Sequence, residues 1–298
     1  MKNCDCFGGY HPIVNFLYFA IVIGFSMFFM HPVCLFISLI SAVCYYVKLN
    51  GKKSVGFLVK YALPIMLLTA IINPAFNHEG QTIICYLLTG NPLTLESIIY
   101  GIAAAMMLVS VLIWFGCYTA VMTSDKFIYL FGRIIPALSL VLSMALRFVP
   151  KFKSQFESVK QAQASMGRDI SNGSLLSRIR NALTCFSIMV TWSLENAIET
   201  ADSMKSRGYG LKGRTAFSIY TLTERDKAAI AWLVFCGFYI FSGSLSGGLT
   251  WRYFPSVRGA LAEPLTVSFE IVYLMLCLTP VIIDEKEERA WKSLQSKI

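Results

Sequence analysis

The sequence predicts an all-α, polytopic membrane protein of about six transmembrane helices with a central region of long amphipathic helices. Three observations predict it. Of 298 residues, 56% are hydrophobic and only 14% charged, whereas a soluble domain is about a quarter charged. Mean hydropathy is +0.60. Stretches of 20 or more residues carry no Asp, Glu, Lys or Arg, which excludes a coiled coil, a disordered chain and a disulfide-stapled secreted fold. The remaining charges sum to +9, but apolar runs part the basic residues, so they do not build the face of a nucleic-acid binder.

Taken in order, the elements are these. Between Cys6 and Val47 there is no charge, and the stretch breaks at His31-Pro32 into 13–30 and 33–47. About 20 apolar residues cross a hydrocarbon core of ~30 Å, so this is a helical hairpin with a short second arm. Lys48, Lys52 and Lys53 follow, and with Lys60 they form a basic loop ahead of the apolar stretch 61–72. From Asn73 to Leu95 no Lys or Arg occurs. Asn73-Pro74, Asn77-His78-Glu79-Gly80 and Gly90-Asn91-Pro92 are turn signals around the apolar piece 82–88, predicting an external loop with a half-helix. Residues 97–123 are uncharged, long enough for a fourth span. Within it Gly101, Ala103, Ala104 and Ala105 form a small-residue face suited to close helix contact. Residues 228–245 and 264–283 are the last two spans, joined by a Gly/Ser-rich outer loop.

Six spans with the N-terminus inside put both termini and the middle of the chain in the cytoplasm. Of the 26 Lys and Arg, 24 then lie inside and only Arg252 and Arg258 outside, the bias that orients membrane proteins. The organisation expected is 1–124, N-terminal membrane helices; 125–227, a cytoplasmic or interfacial region; and 228–298, a C-terminal hairpin with a cytoplasmic tail.

The central region carries 15 Lys or Arg against 8 Asp or Glu. Its two apolar patches, 134–146 and 182–194, are short for spans, and a polar arm grows from each. In the first arm Phe148, Phe152, Phe156, Val159, Ala162 and Met166 recur at helical intervals, with Lys151, Lys153, Glu157 and Lys160 on other faces. It stops at Gly167-Arg168-Asp169, and Pro150 kinks or starts it. The second arm sets Leu194, Ile198, Ala201 and Met204 on one stripe and ends at Ser206-Arg207-Gly208-Tyr209-Gly210. Two readings of these endings stand. Each is a capped helix end, whose Arg gains from the helix dipole, or each is a docking tip, whose planar guanidinium takes a partner carboxylate bidentately with Gly167, Ser206 and Gly208 easing entry into a groove.

At these residues the chain resembles the transmembrane T component of energy-coupling factor (ECF) transporters. Ala145-Leu146-Arg147-Phe148-Val149-Pro150 resembles that family's Arg-Phe-(Ile/Val)-Pro segment. The arm ending at Gly167-Arg168-Asp169 and the run from Ala201 to Gly210 resemble its two coupling helices, each ending in an X-Arg-X motif. The His11-Pro12 and Asn73-Pro74 region resembles a bacterial branch. The resemblance implies a non-catalytic scaffold in a bacterial cell membrane that joins two ABC-type ATPases to a small S component, which binds a vitamin or metal ion. Gly167, Arg168, Asp169, Ser206, Arg207 and Gly208 would dock the ATPases; Arg147 and Pro150 would set the geometry of the arms; Gly101, Ala103, Ala104, Ala105, Met106 and Met107 would face the S component. No cofactor is expected on this chain, ATP and Mg belonging to the ATPases. One departure is that the first tip reads Gly-Arg-Asp where the family has Ala-Arg-Gly.

Other constellations are weaker. Nine cysteines give one Cys-x-Cys, at Cys4 and Cys6, and the histidines at 11, 31 and 78 form no metal motif. There is no phosphate-cradling GxxxxGK loop. Glu270, inside the last span, is a functional candidate or, six residues from Pro264, is hydrated or paired with Arg252 or Arg258. The alternatives are a permease subunit of a conventional ABC importer, whose short Glu-Ala-Ala loop is missing here, an intramembrane lipid-modifying enzyme using scattered polar residues, and a non-catalytic anchor.

Overall fold

The computed structural model describes residues 6–86, 92–132, 136–209, 211, 220–259 and 263–295, with the side chains of 52, 53 and 136–139 excepted. Two compact units emerge. Met1–Phe127 and Tyr220–Ile298 form one, and Ile128–Ile219 the other, so the first and last stretches of the sequence pack as a single helical bundle.

In the bundle, α1 (Pro12–Phe28) and α2 (Pro32–Asn50) are the expected hairpin. Each opens with Pro at its first position, where a missing N–H costs nothing. His11 caps α1 by accepting from the Ile13 N–H at 3.3 Å. The basic loop is shorter than expected: α2 ends at Gly51, whose φ of 58° suits a residue without Cβ. Helix then resumes as α3 (Lys52–Phe57), a π-helical turn over Leu58–Ala62, and α4 (Leu63–Phe76). Pro64 cannot donate to Lys60, and the wider turn sits where that bond is lost. Helix runs on through Asn73-Pro74, which is therefore no turn, and stops at Asn77.

The expected half-helix is instead extended. β1 (Ile83–Tyr86) pairs antiparallel with β2 (Pro92–Thr94); β-branched Ile83 and Ile84 and aromatic Tyr86 favour that state. Residues 87 and 88 of that piece, with 89–91 after it, lie outside the described residues. Thr94 then caps α5 (Leu95–Val121), accepting from Ser97 N at 3.3 Å. After α6 (Ser124–Gly132) and the second unit, a Thr223–Asp226 capping box starts α9 (Glu224–Leu245). The Gly/Ser-rich loop holds the small ribbon β3 (Trp251–Arg252) and β4 (Arg258–Gly259), and α10 (Pro264–Gln295) runs past the last span through the polar tail. Among the described residues, five helical stretches, 32–50, 54–76, 95–121, 224–245 and 264–295, are long and apolar enough to cross a membrane. The shorter α1 is also apolar; its 17 residues rise about 25 Å.

Aromatic and small side chains fill the bundle core. Trp114, Tyr18, Tyr45 and Tyr273 are fully buried beside Cys117 and Cys277. The polar atoms of Trp114, Tyr18 and Tyr273 are tied across helices, as a low-dielectric interior favours. Trp114 Nε1 donates to Ser38 Oγ at 3.0 Å, Ser38 meets Ser26 at 2.7 Å, and Ser26 meets Tyr273 at 3.1 Å, linking α5, α2, α1 and α10. At one end, backbone N–H groups of Phe7 and His11 donate to Asp284 (2.9 Å) and Asp226 (3.1 Å), while Lys126 donates to Gly8 O at 2.6 Å. These bonds hold the segment preceding α1 against α10, α9 and α6.

Where α4 meets α5, Gly101 faces the Ala70 carbonyl and the Pro74 ring: a Cβ there would lie 3.0 Å and 3.1 Å from them. Replacing Gly101 by Leu should push these helices apart and cost about 1–3 kcal/mol, read as a lower unfolding temperature in detergent.

The second unit is a helical hairpin of α7 (Pro136–Ser165) and α8 (Leu175–Ser206). Each apolar patch and its polar arm are one continuous helix. Pro150 therefore does not start the first arm but stands inside α7, where Leu146 O loses its backbone partner. Ile134 and Ile135 lie outside the described residues.

Candidate partner-docking site

The hairpin is antiparallel, and its pairings show which ends meet. Near the connection, Asn181 Nδ2 donates to Asp169 O at 2.9 Å and Arg178 Nε to Ile170 O at 3.0 Å. At mid-length Lys151 Nζ donates to Asn196 at 2.6 Å and lies 5.4 Å from the Trp192 ring, whose edge meets Phe152 at 5.5 Å. Toward the open end the helices part around a cleft of about 640 Å³ lined by Arg147, Phe148, Lys151, Glu199, Arg207 and Tyr209 among others. Arg168 and Arg207 thus stand at opposite ends of the hairpin, and Arg147 shares the cleft of Arg207.

Both helices end in the same cap. Gly167 has φ 76° and Gly208 φ 75°, the left-handed conformation that favours glycine at this position. Arg168 N donates to Gln163 O (2.9 Å), Gly167 N to Ala164 O (3.0 Å) and Met166 N to Gln163 O (3.2 Å). In α8, Tyr209 N donates to Met204 O (3.1 Å), Gly208 N to Lys205 O (3.0 Å) and Arg207 N to Met204 O (3.1 Å). Even the serines match, Ser165 bonding Ala162 O at 2.8 Å and Ser206 bonding Ser203 O at 2.9 Å. The backbone therefore pairs Ser165-Met166-Gly167 with Ser206-Arg207-Gly208. The arginines are out of register: Met166 occupies the place of Arg207, and Arg168 that of Tyr209. Gly210 lies outside the described residues.

Asp169, the unusual acid, folds the connection. Its carboxylate accepts from Ser171 N (3.0 Å), Ser171 Oγ (2.7 Å) and Asn172 Nδ2 (2.7 Å). The Ser171 N–H and hydroxyl hold its carboxyl below the usual range. The guanidiniums of Arg147, Arg168 and Arg207 make no hydrogen bond or ion pair among the described residues and are exposed.

The small-residue face is placed differently from the expectation. Gly101, Ala103, Ala105 and Met106 are buried inside the bundle, with Ala104 and Met107 half-buried. Ala103 and Met106 pack with Leu35 and Tyr253. Small residues permit close approach, and α5 uses that approach for its own neighbours.

Glu270 also has a partner other than the two arginines. Its carboxylate lies 3.2 Å from His31 Nδ1, with both side chains buried, and the Trp251 ring meets His31 edge-on at 5.3 Å. Arg252 and Arg258 are instead exposed cross-strand neighbours in the ribbon. No His, Cys, Asp or Glu cluster among the described residues suits a metal ion.

Comparison with known proteins bears on this arrangement. The family CbiQ, cobalt transport protein, matches residues 11–217, from the start of α1 beyond the end of α8. The energy-coupling factor transporter transmembrane protein EcfT of Lactobacillus helveticus is 33% identical over 101 residues, 34% of this chain and 36% of that protein. EcfT of Staphylococcus aureus is 23% identical over 271 residues, 83% of this chain and 100% of that protein. EcfT of Acidaminococcus fermentans is 28% identical over 220 residues, 65% of this chain and 81% of its own length. A match that runs from α1 through α8, and so takes in both arms and more than half of the chain, shows that the chain belongs to the CbiQ cobalt transport protein family, in agreement with its resemblance to ECF T components.

Proposed function

We propose that this chain is the transmembrane scaffold of an ECF-type importer in a bacterial cell membrane. It docks two ABC-type ATPases, which bind the ATP and Mg, and transmits their movement to a small S component carrying a vitamin or metal ion. Both termini and the α7–α8 hairpin lie in the cytoplasm in this reading, which the placement of 24 of 26 basic residues supports. The observation that carries the proposal is the pair of matching caps, exposed at opposite ends of a hairpin whose 30-residue first helix is about 45 Å long. Two docking points so far apart suit two subunits side by side.

Arg207 supplies an electrostatic anchor at the open end, with Arg147 and Lys151 adding to the field of the cleft. The S component takes the face of residues 54–76, where 6% of the apolar window is buried against 28–44% in the other candidate spans. Leu67, Leu68 and Ile71 on that face are exposed. Purification from the native host in mild detergent is expected to bring down two ATPase chains and one small membrane protein; a chain that comes down without ATPases would refute the proposal. Single cysteines separate the two candidate faces: Leu68→Cys should cross-link to the S component and Ala105→Cys should not.

A further inference from the structure

The out-of-register arginines assign different chemistry to the two ends. Resting on the docking reading above, we infer that the closed end engages its ATPase through an apolar contact centred on Met166, and that Arg168 is not the counterpart of Arg207. The four matched hydrogen bonds fix the correspondence. In each cap one side chain projects from the residue just before the left-handed glycine, and that residue is Arg207 in one and Met166 in the other.

The surroundings agree with the substitution. Met166 is 60% exposed, and Leu175, Leu176 and Ile179, at the start of α8 and so at the same end of the hairpin, are 74%, 82% and 58% exposed. Exposed apolar side chains beside a helix cap suit a contact surface, and an unbranched thioether adapts to the socket it enters. The open end has Arg207, Arg147 and Lys151 around one cleft, against a single acid, Glu199. The ATPase at the closed end accordingly offers an apolar socket, and the one at the open end an acidic groove.

The test uses the full complex purified with its ATPases. A benzophenone photocross-linker replacing Met166 should capture an ATPase chain. Met166→Glu should reduce retention of that ATPase roughly tenfold, as loss of a central apolar anchor does, while Met166→Leu retains it and Arg168→Ala changes retention less than about twofold. Raising salt to about 1 M, where the Debye length falls to ~3 Å, should release the ATPase at Arg207 before the one at Met166. The inference is overturned if Arg168→Ala releases the closed-end ATPase while Met166→Glu does not, or if the cross-linker at 166 captures only lipid. A wild-type complex retaining no ATPase at either end would overturn the docking reading itself.

Discussion

Arg207→Glu is expected to strip the open-end ATPase from the complex, lowering its retention by roughly tenfold or more and abolishing ATP-driven uptake. An opposite-charge pair at ~4 Å is worth roughly 4 kcal/mol at an effective dielectric of ~20, before desolvation is subtracted. Reversal turns that attraction into repulsion. The fold should not suffer, because the cap at this position is built from the Arg207 backbone N–H and Gly208, and the guanidinium makes no bond within the chain. Subunit stoichiometry after purification checks the release, and the S component should remain bound. Full ATPase content with normal uptake in this variant would end the idea of an anchor at Arg207.

The second large effect concerns His31 and Glu270. Removing one member of a buried polar pair leaves the other without its partner, at a cost of about 1–3 kcal/mol. Glu270→Leu alone should therefore lower the unfolding temperature markedly, with His31→Leu behaving similarly. Combining the two removes both polar groups, so the double variant should recover much of the loss. Losses that simply add in the double variant would mean that the 3.2 Å contact carries no coupling energy. The ribbon should report the same event, since Trp251 lies against the His31 ring; its fluorescence is expected to change in the single variants.

Helix content was legible in the sequence because lipid leaves the backbone few alternatives: charge-free runs bounded by His31-Pro32 and Thr94 became helices that begin at those residues. What sequence reading misplaced were local signals that tertiary packing overrides. Asn73-Pro74 resembles a turn, yet Pro74 is buried within α4 against Gly101 of α5, which sustains the helix past it. The stretch at 82–86 has no helical period to oppose its β-branched and aromatic side chains, and pairing with β2 decides it. Gly101 and its alanines mark a close contact correctly, but nothing in a single sequence says whether the contact is with another chain or with α4. Matching arginine to arginine pairs Arg168 with Arg207, whereas the left-handed glycines pair Met166 with Arg207. Matching Ser-x-Gly to Ser-x-Gly would have brought Met166 forward. Glu270 and His31 lie 239 residues apart, and only the count of spans hints that they share one end of the bundle.

The mid-length contact of α7 with α8 has a mechanical consequence. Phe152 and Trp192 divide their helices nearly evenly, leaving arms of about 20–25 Å on either side. The closed-end arms are tied a second time, by Asn181 to Asp169 and by Arg178 to Ile170, so only the two open-end arms are free to splay. A change of about 10° in the angle between those arms would move their ends by roughly 4 Å, with the aromatic contact as the fulcrum.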